Sequence, residues 1–162
     1  MKVLVIEARF YEHISDMLLD GALDTLAAVD AEIFQVVVPG ALEIPTTISL
    51  ARDHYDGFVA LGCVIRGETT HYETVCNDSS RAIQLLGLQG LCIGNGILTV
   101  ENVEQAEVRA DPAGQNKGGG AAAAALHLIA LSRKWGRQSK GVGFKPAGEE
   151  TILAGDMGPN TA

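Results

Sequence analysis

Apolar positions along this chain fall into two alternating rhythms. Four short runs rich in β-branched residues, Val3 to Ala8, Ala31 to Val38, Phe58 to Ile65 and Leu91 to Leu98, have the length and composition of buried strands. Between them the apolar spacing lengthens to three and four residues, the repeat of a helix with one face turned inward. Ile14, Met17, Leu18, Leu23 and Leu26 predict a helix from about His13 to Ala28, and a second runs from Leu42 or Glu43 to Arg52. Tyr72, Val75, Cys76, Ser79, Ala82, Ile83 and Leu86 mark a third, from Thr70 to about Leu86. A short helix follows from Thr99 or Glu101 to Arg109, and a last one spans roughly Asn116 to Trp135, with Gly136 as its C-cap. Asp111-Pro112-Ala113-Gly114 separates the last two, because proline cannot continue the hydrogen-bond ladder. Strands alternating with helices predict an α/β fold: three layers, α/β/α, around a four-stranded parallel sheet built by right-handed crossovers.

Two stretches of small residues change this picture locally. Gly94-Asn95-Gly96 interrupts the fourth strand; with no third glycine and no helix opening at once, it predicts close approach of a backbone or ligand and not a dinucleotide site. Gly118-Gly119-Gly120 and the five alanines after them remove so much volume that another helix must come close, as at a subunit interface. From Arg137 to Ala162 periodicity is lost, which predicts a mobile tail. The organisation read from the chain is thus a domain over residues 1–135 and a flexible C-terminal tail over 136–162.

Composition narrows the function classes. With 162 residues, 47% apolar and 20% charged, the chain suits one ordinary globular domain. A net charge of −8 argues against nucleic acid as a partner, although a few local cations still suffice for a small anion. Cys63, Cys76 and Cys92 are an odd number without CxxC spacing, so they predict free thiols in a reducing cytoplasm, and the four scattered histidines offer no metal cluster. The N-terminal strand is too short for a signal segment, and nothing approaches membrane-spanning length; a cytoplasmic protein without a membrane partner is expected.

The chemistry concentrates where the third strand runs into the third helix, in Gly62 to Val75. Thr70 and Glu73 have the spacing of a capping box, and the remaining free amides around Glu68 to His71 would offer the positive end of the helix to an anion, most plausibly phosphate. His71 in the first turn is the proton-transfer candidate beside it. Phe10, at the C-terminal end of the first strand, is either a core residue or a platform for a planar ring. Glu43 either complements its helix dipole or accepts hydrogen bonds from ligand hydroxyls. Arg109 and Lys117 flank the Asp-Pro-Ala-Gly break, as solvated charges or as a clamp on an anion. These features support an enzyme acting on a small phosphorylated molecule.

Four separated motifs go further. Val38 to Pro45, Gly62 to His71 with its Ile-Arg-Gly-Glu-Thr-Thr-His core, Leu98 to Asn102 with Gln105-Ala106, and Asn116-Lys117-Gly118 together resemble the 6,7-dimethyl-8-ribityllumazine synthase family, in order and spacing, over roughly residues 1–135. The resemblance implies a flavodoxin-like strand order and a homopentamer with sites between subunits. It implies condensation of 5-amino-6-ribitylaminouracil with 3,4-dihydroxy-2-butanone 4-phosphate, without cofactor or metal, in the penultimate step of riboflavin synthesis. Carried over, Phe10 would stack on the pyrimidine, Ala41 and Glu43 would hold the ribityl chain, and Val64 and Ile65 would contact the ring. Glu68 and Thr69 would present amides to the phosphate and His71 would move protons. Arg109, the cationic clamp, and Lys117, a polar contact, would come from the adjacent subunit. Tyr11, Leu42 and Asn95 stand where many members have asparagine, phenylalanine and phenylalanine, and they would reshape the pyrimidine pocket; Asn95 would face the ring from the neighbour. The rival readings are a catalytically weak lumazine- or flavin-binding protein and a structural assembly protein of the same fold. A flavodoxin-like FMN module would need a Ser/Thr-rich loop after the first strand, and Arg9-Phe10-Tyr11 is not one.

Overall fold

Each apolar run becomes a strand: β1 (Lys2–Ala8), β2 (Glu32–Val38), β3 (Gly57–Ile65) and β4 (Ile93–Val100). The computed structural model describes residues 1–136; the tail expected beyond them lies outside the described residues. All strand pairs are parallel and the sheet order is β2-β1-β3-β4, the doubly wound order in which the chain reverses direction beside β1. The central strands β1 and β3 are buried almost throughout, as both faces of a parallel sheet are covered, whereas β2 at the edge is half-buried.

The helices are α1 (Glu12–Ala27), α2 (Glu43–Ala51), α3 (His71–Leu88), α4 (Val103–Ala110) and α5 (Lys117–Gly136). One core joins Val3, Val5, Val59 and Leu61 of the sheet to Leu18 of α1, Ala106 of α4 and Ala122 of α5. The opposite core sets Leu4, Ile6 and Phe58 against Ile48 of α2 and Ile83 of α3. The alternation of side chains along each strand therefore sorts the helices to the two faces.

The small residues of α5 serve this chain's own packing rather than a subunit contact. A Cβ on Gly118 would lie 1.9 Å from the Leu18 carbonyl oxygen of α1. On Gly94 it would lie 1.8 Å from the carbonyl oxygen of Ala121. Helix and strand thus close together through bare backbone, as the glycine in β4 predicts.

Two local expectations are corrected. Thr70 forms no side-chain cap on α3, and Glu73 turns to Arg66 instead. A reciprocal cap of this kind occurs at α4, where Asn102 accepts from the Gln105 amide at 2.9 Å and Gln105 accepts from the Glu101 amide at 3.0 Å. That cap holds Asn102 extended, so β4 reaches Val100 and α4 begins only at Val103. Gly136 is the last residue of α5 rather than a residue beyond it.

Candidate active site

Register decides which residues meet. Ala8 lies level with Val38 on one side and with Gly62 on the other, so the chain segments leaving β1, β2 and β3 emerge at one edge. Side-chain ends of open α/β sheets are where ligands bind. Here they surround a cavity of about 500 Å³, within the usual range for a small-molecule site. Phe10, Ala41, Glu43, Val64, Ile65, Thr69 and His71 all line it, bringing together seven of the residues expected from the sequence. Phe10 is 73% exposed, an aromatic face left open in the first turn after β1. The Glu43 carboxylate lies over the turn, so that a Cβ on Gly40 would sit 3.1 Å from its Oε2.

The remaining candidates lie elsewhere. Glu68 is exposed in the loop before α3 but is not part of the cavity wall. Asn95 lines a separate cleft of about 250 Å³ between β4 and α3. Arg109 ends α4, half-buried, with Nη1 donating to the carbonyl oxygen of Gln105 at 3.0 Å. Lys117 opens α5 and is exposed. No lysine or arginine lines the larger cavity in a single chain.

Several wall residues were read only as helix or loop. Tyr72 and Val75, assigned by periodicity to the inward face of α3, line the cavity because the first turns of that helix stand at the sheet edge. Tyr11 and Pro39 belong to the strand exits. Cys63 also faces it, but burial pushes its thiol up to about 11, so it is a neutral wall residue and no nucleophile.

Arg66 is the residue whose role the sequence left unread. Its amide donates to the Val100 carbonyl oxygen at 3.0 Å and its Nε to Glu101 at 2.7 Å. Its Nη1 donates to Glu73, and the guanidinium carbon lies 4.2 Å from the centre of the Tyr72 ring. The Glu73 and Glu101 carboxylates raise the arginine above its ordinary value, and Arg66 in turn holds Glu73 below the usual carboxylate range. Between Arg66 and α3, the amides of Gly67, Glu68, Thr69 and Thr70 donate to no other described residue, while that of His71 reaches Thr69 Oγ1 at 3.4 Å.

Comparison with known proteins decides the family. The family model for 6,7-dimethyl-8-ribityllumazine synthase matches residues 1–133. This chain belongs to that family. A protein of Jannaschia sp. (strain CCS1) bearing that name is 53% identical over 157 residues, 96% of this chain and 88% of its own length. Synthases of Novosphingobium aromaticivorans and Sphingopyxis alaskensis are 55% and 57% identical over 136 residues, 83% of this chain and 98% and 96% of theirs. The lumazine synthase motifs divide into scaffold and chemistry. Asn116, at φ 45°, caps α5 by accepting from the Gly119 amide at 3.0 Å, and Gly118 packs on α1. Lys117 is left between them with its side chain outward.

Proposed function

We infer that this chain acts as a lumazine synthase, condensing 5-amino-6-ribitylaminouracil with 3,4-dihydroxy-2-butanone 4-phosphate and releasing phosphate and two waters. The observation that carries the reading is the cavity at the sheet edge, walled by Phe10, Ala41, Glu43, Val64, Ile65 and His71 in a member of this family. Phe10 stacks on the pyrimidine, Val64 and Ile65 contact its ring, and Ala41 and Glu43 hold the ribityl chain. The loop amides at Glu68 and Thr69 take the phosphate. His71 shuttles protons during imine formation between the ring amine and the ketone. Loss of phosphate needs charge stabilisation, and proximity of two bound substrates supplies much of the remaining acceleration.

The cavity wall holds no lysine or arginine of its own chain. That supports a site completed by Arg109, Lys117 and Asn95 of an adjacent copy in a ring, for which we propose a pentamer. We propose a cytoplasmic location; among the described residues no helix is long and apolar enough to cross a membrane.

Formation of the lumazine from the two purified substrates, followed by absorbance, tests the reading. Wild type is expected to turn over. Arg109→Ala is expected to lose about a hundredfold or more in kcat/KM, as removal of an oxyanion-type stabiliser does, and His71→Ala about tenfold to a hundredfold. Tight binding of a ribitylated ring compound without turnover would replace the synthase by a binding protein.

A further inference from the structure

The Arg66–Glu73 pair sits on a helix terminus that lacks its ordinary cap. Thr70 is at the N-cap position of α3 and Glu73 three residues later, the spacing at which a glutamate reaches back to the N-cap amide. Glu73 does not do so. One carboxylate oxygen accepts from Arg66, and the other, Oε2, is shielded from solvent with no partner among the described residues. A shielded, unpaired carboxylate oxygen is costly, so Glu73 would take a donor if one came within reach. The open donors nearest in sequence are the amides from Gly67 to Thr70. These are the groups assigned above to the phosphate.

We propose that Arg66 is a positioning residue that draws Glu73 away from the α3 N-terminus, keeping the loop amides open and free of negative charge for the phosphate of the substrate. The inference rests on the synthase reading for the identity of that anion. Arg66 is well placed to act this way, because its own position is fixed independently. Its amide is tied to Val100, its Nε to Glu101 across the sheet edge, and its plane rests on Tyr72. Arginine's fork serves two carboxylates at once; a lysine ammonium in its place has no such geometry.

The test uses full-length protein, with inorganic phosphate affinity by calorimetry and steady-state kinetics side by side. Arg66→Met is expected to weaken phosphate about tenfold and to raise KM for the butanone phosphate in parallel, with KM for the pyrimidine within about twofold. Glu73→Ala alone leaves phosphate affinity within about twofold of wild type. The decisive variant is Arg66→Met with Glu73→Ala, which recovers most of the lost affinity. Arg66→Met with Glu101→Ala changes net charge equally but does not recover it, because Glu101 extends from β4 and not from α3. Equal recovery in both double variants would reduce Arg66 to a matter of net charge and overturn the proposal. So would phosphate affinity unchanged in Arg66→Met, or a loss shared equally by both substrates. Wild type that binds phosphate but makes no lumazine overturns the synthase reading alone, since the phosphate measurements still decide the role of Arg66. Wild type that binds no phosphate overturns both.

Discussion

Phe10 and Cys63 occupy the same cavity for opposite reasons. Phe10 leaves an apolar ring in water immediately after a buried strand, and only a ligand or a second chain repays that exposure. Cys63 is buried, and its thiol is pushed up to about 11 by the loss of hydration alone. A raised thiol favours the neutral form, so the sign of its pH dependence is fixed: reactivity is low at neutral pH and grows only as the pH nears that raised value. Site-resolved mass spectrometry after iodoacetamide treatment is expected to find Cys63 unmodified at pH 7.5 and increasingly modified toward pH 10.5. Cys63→Ala should keep kcat within about threefold, since only a wall contact is lost. Extensive alkylation at pH 7.5 would show that the thiol is activated after all.

At the scale of elements, β4, α1 and α5 meet through glycines, and this is where single methyl groups matter most. Gly118→Ala drives a Cβ into the Leu18 carbonyl, a backbone atom that no rotamer change can move aside. It is expected to destabilise by about 3 kcal/mol, at the upper end of overpacking effects. Gly120→Ala, two residues along the same helix and with nothing within 4 Å of the new carbon, is expected to stabilise by about 0.5–1 kcal/mol through helix propensity. Chemical denaturation of the two variants beside wild type measures both signs at once. The strands, the helix order and the close approach at Gly94 were legible because burial on both faces and loss of side-chain volume leave a mark in the residues themselves. The cap on α3 was misread because Thr70-x-x-Glu73 is a local signal and Arg66, a longer-range competitor, takes the carboxylate. Asn102-x-x-Gln105, which does cap, has no better local pattern. Tyr72 and Val75 were read as core because helical periodicity reports an inward face without saying whether a cavity lies there.

At the scale of the molecule, the candidate residues divide into two groups that one chain does not unite: those lining the edge cavity, and Asn95, Arg109 and Lys117 elsewhere. If each site joins the first group of one chain to the second group of its neighbour, two crippled proteins can repair one another. His71→Ala and Arg109→Ala chains, co-expressed and purified together, are expected to exceed the mean activity of the two pure variants, with about a quarter of sites intact in a randomly mixed ring. Activity equal to that mean would place both residues in a site within one chain. The contact between Leu18 and Gly118 bears on something different, the order in which the chain can be finished during its synthesis. Helix α1 is made early, yet the helix that covers it is made about a hundred residues later, which at ribosomal rates is a delay of roughly 5–20 s. Through that interval the buried face of α1, with Ile14, Leu18, Ala22 and Leu26, has no permanent cover. A nascent chain of this protein therefore presents an adhesive helix to its surroundings for most of its translation, and holding chaperones have their best target near the N-terminus.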